Sequence, residues 1–199
     1  MFWTVFVFPT LLAVNHNLLT AVAPFYTAFD FRQSSEYLGW INMVFFQTTF
    51  TAFRFAYPTS TQELSTYFLM YTLYDTAHLT LYNTEPMYYV HHAISAMIAI
   101  GSRWMPHEYA LATLNAAAFL EASNILLGIV WLLKRAGRKN VTILGGLAFV
   151  TYALLRNVFY PYYLFWYAPR FIAIVMSVFV PMNAYWTWKL VRYIRGNSA

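Results

Sequence analysis

From residue 108 to residue 133 the only charged side chains are Glu108 and Glu121. A helix over that stretch is about 39 Å long, more than the roughly 30 Å of hydrocarbon in a bilayer. Apolar runs bounded by Pro, Gly or charge recur at 3–29, 38–57, 64–82, 88–104, 141–165 and 171–194. Together they predict an all-α, polytopic membrane bundle of seven helices. Six is the fallback, because 88–104 is short and is re-entrant if protein surrounds its ends. Charged residues make up 10% of the 199 residues, against about 25% in a soluble domain, so an ordinary cytosolic domain is excluded. With no cysteine in the chain, disulfides, thiolate nucleophiles and cysteine-bound zinc are excluded as well.

Lys and Arg set the orientation, because cytosolic loops carry an excess of them. Seven spans gather Arg32, Lys134, Arg135, Arg138, Lys139, Lys189, Arg192 and Arg195 on one side, and Arg54, Arg103 and Arg170 on the other. The split predicts a cytosolic C-terminus and a lumenal N-terminus. Asn140-Val141-Thr142 is a glycosylation sequon, which this topology puts on the cytosolic side, unused. Ala21-Val22-Ala23 resembles a signal-peptidase site, but the basic n-region is missing and Pro24 follows the cut. Residues 1–35 are therefore read as a first helix with its lead-in, and 36–199 as a six-helix membrane domain. No basic patch with interleaved aromatics suggests nucleic acid, and the sequence leaves the oligomeric state open.

An ionisable side chain in mid-span costs about 2.5–3.5 kcal/mol on insertion scales, so the few present carry the information. Tyr71, Asp75, His78 and Tyr82 follow steps of four, three and four, one helix face. His91 and His92 lie four and three residues before Ser95, Glu121 stands three before Asn124, and Arg156 sits within the sixth span. As pure packing groups they pair with one another, Arg156 neutralising Glu121 or Asp75. As a set they line a cavity in which something polar is bound or moved.

Counting rejects several chemistries. Five histidines without HxxxH or HxxHH boxes do not make a di-iron desaturase. GxSxG, HExxH and GxxxxGK[ST] are absent. Lys189 lies at the basic end of the last span rather than mid-span as a retinal Schiff base requires. No resident cofactor or metal site is read from the sequence. A small-solute or proton-coupled transporter is disfavoured because no inverted repeat is visible.

The order of motifs resembles the TLC domain of translocating-chain-associated membrane proteins and longevity-assurance ceramide synthases. An aromatic helix, Tyr67-Phe68-Leu69-Met70-Tyr71-Thr72-Leu73-Tyr74-Asp75, precedes Tyr88-Tyr89-Val90-His91-His92 and then Leu120-Glu121-Ala122-Ser123-Asn124 with Trp131 downstream. Arg156 with Pro161, and Met182-Asn183-Ala184-Tyr185-Trp186 before a basic tail, complete it. The resemblance implies a helical barrel around a lipid-sized cavity in the endoplasmic reticulum, with membrane lipids as partners and acyl-CoA as co-substrate. It also implies acyl transfer at the paired histidines, His91 and His92. If the chain is an enzyme, one histidine acts as general base or transient acyl acceptor and the other orients it, with Asp75 or Glu121 holding a tautomer. Where ceramide synthases carry a further histidine and two aspartates, this chain has Thr113, Leu114 and Ala117. It is thus more similar to the smaller TLC-domain proteins linked to membrane lipid composition. The other reading is a non-enzymatic lipid-binding regulator or cargo receptor.

Overall fold

A computed structural model describes residues 31–56, 60–80, 85–138 and 141–196. The expected span at 3–29, the sequon's Asn140 and Tyr82 lie outside the described residues. Those described form only helices: α1 Phe31–Ala56, α2 Thr61–Leu79, α3 Pro86–Ser102, α4 His107–Arg135, α5 Thr142–Leu154, a π-helical turn Leu155–Phe159, α6 Tyr160–Trp166, α7 Arg170–Met176 and α8 Phe179–Gly196.

Proline sets several of the boundaries. Pro86 occupies the first turn of α3, where its missing N–H is no loss. Pro106 and Pro169 immediately precede α4 and α7. Pro161 and Pro181 act inside helical stretches, where the ring crowds the carbonyl four residues back and no hydrogen bond is donated to it. Asn157 and Ser177 are those residues. The chain widens into the π-helical turn at the first and breaks between α7 and α8 at the second.

Three stretches are long and apolar enough to cross a membrane: His107–Arg135, Thr142–Trp166 and Arg170–Ile194. The surface agrees with that reading. Ile143 is 83% exposed and Phe165 77%, with Leu147, Val150, Val158 and Ile174 also outward, while Arg156, Glu121, Asn183 and Asp75 are buried. An apolar outside over a polar inside suits hydrocarbon rather than water.

α4 is the central post, packed most extensively against α1 and α5 and also against α2, α3, α6 and α7. Its small buried residues, Ala110, Ala112, Ala116, Ala117 and Ala118, let neighbours approach from all sides. One apolar cluster, built from Phe46, Phe50, Leu64, Phe68 and Tyr71, packs on Leu114 and Ala117. A second, with Tyr160, Ile172, Met176, Phe179 and Trp186, packs on Ala112, Ala116 and Leu120. Polar bonds then fix register between helices: Asn42 to the Tyr74 hydroxyl at 2.6 Å, Ser65 with Ser102 at 2.7 Å, and the Tyr160 hydroxyl to the Met176 carbonyl at 2.7 Å. Glu85 ties the start of α3 to α8 by accepting from Lys189 and Tyr185.

Candidate functional site

Asp75 is one turn short of the end of α2, and His92 is in the second turn of α3. Because α2 and α3 pack side by side, the two buried side chains meet, with His92 Nε2 3.3 Å from Asp75 Oδ2. The other ring nitrogen, Nδ1, lies 3.0 Å from the hydroxyl of Thr76, which itself donates to the Thr72 carbonyl at 2.6 Å. A hydroxyl has one proton, and Thr72 takes it, so Nδ1–H is the donor to Thr76. Nε2 then faces the carboxyl at ion-pair distance. His92 is thus held at both nitrogens, the arrangement that fixes an imidazole's tautomer and ring plane.

His91 turns about 100° away, as adjacent helical residues must. Its ring meets Phe179 and Trp186 edge-on, at centroid separations of 5.4 and 5.0 Å, and lies 5.4 Å from the ring of His92. Both histidines therefore face the bundle, one toward α2 and the other toward α8. His91 Nδ1 is buried without a hydrogen-bond partner, and so is the Trp186 indole nitrogen. A buried polar atom left unpaired costs about 1–3 kcal/mol.

Arg156 corrects the sequence expectation. Among the described residues no carboxylate lies within 4 Å of its guanidinium; the ion pairs are Asp75–His92, Glu36–Arg135 and Glu85–Lys189. The π-helical turn aims the side chain, 3% exposed, at neutral acceptors. Nε donates to Ser123 at 2.7 Å, one terminal nitrogen to Asn183 Oδ1 at 3.0 Å, and the other to Asn124 Oδ1 at 3.0 Å and the Leu120 carbonyl at 3.2 Å. Its charge also lies over the faces of Tyr152 and Trp186, at 4.7 and 5.5 Å. A planar fork is met by a ring of oxygens rather than by one acid.

The remaining candidates divide. Glu121 is buried one turn before Asn124 and interacts electrostatically with Asp75, Arg156 and Gln47. Tyr71 turns toward α1, its ring stacked on Phe46 at 5.2 Å and its oxygen accepting a long bond, 3.5 Å, from Gln47. Ser95 is buried on α3. The backbone of His78 is in α2, but its side chain is outside the described residues. Thr76, Ser123 and Asn183 are partners that sequence reasoning did not assign. Asn183 stood within a quoted motif, and Thr76 stands beside Asp75, yet nothing along the chain announces contacts made between helices.

A cavity of about 380 Å³ lies elsewhere, at the start of α2 and the turn between α3 and α4, lined by Thr61, Gln62, Glu63, Ser102, Arg103, Met105 and His107. Among the described residues, no three His, Asp or Glu side chains converge as a metal site would need. Comparison with family models, curated proteins and solved structures gives no match.

Proposed function

We propose that this chain is a seven-span membrane protein of TLC-domain type, lumenal at its N-terminus and cytosolic at its C-terminus, acting on lipid in the endoplasmic reticulum or a related endomembrane. Its helices close a barrel around a lipid chain. The observation that carries the reading is the pair of adjacent histidines with unequal surroundings: His92 is held at both nitrogens by Asp75 and Thr76, whereas His91 has a buried nitrogen with no partner. That inequality suits acyl transfer. His91 is the reacting group, and His92 is the positioning residue beside it. An imidazole nitrogen of His91 attacks the thioester carbonyl of an acyl-CoA, the C–S bond breaks and CoA leaves as thiolate. An amine or hydroxyl of a second lipid then takes the acyl group from the imidazole, its proton passing to CoA thiolate or solvent.

One observation favours the second reading, a non-enzymatic lipid-binding regulator or cargo receptor. Thr113, Leu114 and Ala117, which stand where the ceramide synthases carry a histidine and two aspartates, are all buried here, with Leu114 and Ala117 in an apolar cluster and Thr113 bonded to the Tyr109 carbonyl. Lipid profiling of cells expressing the wild type, His91→Ala or His92→Ala at equal levels separates the readings. Acyl transfer predicts a changed profile with the wild type that both variants abolish. An unchanged wild-type effect in both variants refutes it.

A further inference from the structure

Arg54, two residues before the end of α1, has little exposed surface, 6%, though it lies near the end of the bundle rather than at its centre. It has none of the provisions made for Arg156. Its Nε is buried without a hydrogen-bond partner, and no carboxylate among the described residues pairs with it. Tyr163 is an electrostatic neighbour, but that hydroxyl already accepts from Asn115 and donates to the Ala112 carbonyl. An Nε–H buried without an acceptor, on a cation with no compensating charge, is unfavourable by itself.

One turn earlier on the same face, Thr51 also has a buried polar atom without a partner. Among the described residues the hydroxyls of Thr49, Thr66, Thr72, Thr76, Thr113 and Thr187 return to the carbonyl four residues back. The Thr51 hydroxyl is buried and makes no such bond, and one further turn back Gln47 Oε1 is buried and unpaired too. Residues 47, 51 and 54 stand at i, i+4 and i+7, a single stripe along α1.

We propose that Arg54 and Thr51 form a binding site for an oxyanion, a phosphate or a carboxylate, supplied by a ligand from outside the chain. The chemistry fixes the sign. A guanidinium N–H and a hydroxyl, about 5–6 Å apart at their Cβ atoms, present two donors and a full positive charge, which selects an anion and rejects a cation. Gln47, a turn deeper, supplies an acceptor for a hydroxyl, an N–H or a water that accompanies the anion. The site stands near one end of α1, where the phosphates of a membrane leaflet lie in the proposed topology. It is independent of any chemistry at His91.

Thermal unfolding of the purified, detergent-solubilised protein, titrated with each probe, tests the proposal. The probes are inorganic phosphate, phosphatidylglycerol doped into the micelle, and diacylglycerol as a phosphate-free control. Stabilisation by inorganic phosphate identifies a site open to a soluble oxyanion. Stabilisation by phosphatidylglycerol but by neither other probe identifies a lipid headgroup site. In either case Thr51→Val and Arg54→Gln weaken the apparent affinity by about tenfold or more, with Arg54→Lys between them and the wild type. If Arg54→Gln does not fold, Thr51→Val carries the test. The proposal is overturned if neither phosphate probe stabilises the wild type, if diacylglycerol stabilises it equally, or if Thr51→Val responds as the wild type does.

Discussion

Replacing Arg156 by Lys and by Met tests whether its charge is held by neutral oxygens or by an acid. Its bonds to Ser123, Asn124 and Asn183 join the π-helical turn to α4 and α8. Interhelical side-chain bonds in membranes average about 0.6 kcal/mol and reach about 1.7, so three of them contribute about 2 kcal/mol and at most about 5. Lysine keeps the buried charge but presents three donors at one point, which cannot serve Ser123 and Asn183 on opposite sides of the fork. It loses most of that bonding while still incurring the desolvation of a cation. Methionine loses all of it but relieves the desolvation. The expected order of stability is therefore wild type, then Met, then Lys, with Lys down by about 2–4 kcal/mol. Reversible unfolding in mixed detergent micelles, followed by tryptophan fluorescence, reads the order directly. If Lys proves close to the wild type while Met is severely destabilised, an acid balances the charge and the neutral-cage account is wrong.

Asp75→Asn places an amide NH₂ opposite His92 Nε2, so the contact survives and stability should fall by less than about 1 kcal/mol, whereas Asp75→Ala should cost about 1–3 kcal/mol, measured in the same unfolding assay. Equal losses would show that the carboxyl does not orient the ring. Gly128 faces α1, and a Cβ there would overlap Val44 Cγ2 and press on Met43; Gly128→Ala should therefore destabilise by about 1–3 kcal/mol through overpacking, and unchanged stability would mean that α1 and α4 separate freely. Expression in a glycosylating host should leave Asn140 unmodified, and a mobility shift removed by endoglycosidase would invert the proposed topology.

Much of the helix pattern was legible because hydropathy and proline act locally. The described parts of the runs at 38–57, 64–82, 88–104, 108–133 and 141–165 fall, but for a residue or two at their ends, on helical segments. The run at 171–194 does so with a break after Met176, for which Pro181 was the visible signal. The candidate site was legible as a set of residues but not as a set of bonds. Cost at membrane depth singles out Asp75, His91, His92, Glu121 and Arg156 whatever their partners. The partners depend on helix rotation and tilt, which one strand of sequence does not encode locally. Arg156 shows the difference, since the acids supplied the obvious partners and the π-helical turn aims the guanidinium at Ser123, Asn124 and Asn183 instead. Thr76 was overlooked for the same reason, as its hydroxyl matters only once α3 lies beside α2.

The claim that His91 is the reacting group and His92 its positioning residue is tested most directly by incubating the purified protein with a long-chain acyl-CoA and measuring released CoA together with the intact mass of the protein. The account predicts CoA release in the wild type, with a mass increase of one acyl chain when no acceptor lipid is present. It also predicts loss of both in His91→Ala, and a strongly slowed release with retained acyl-CoA binding in His92→Ala. Release that persists in a folded His91→Ala variant, or no release and no adduct in a wild-type protein that binds acyl-CoA, would contradict it.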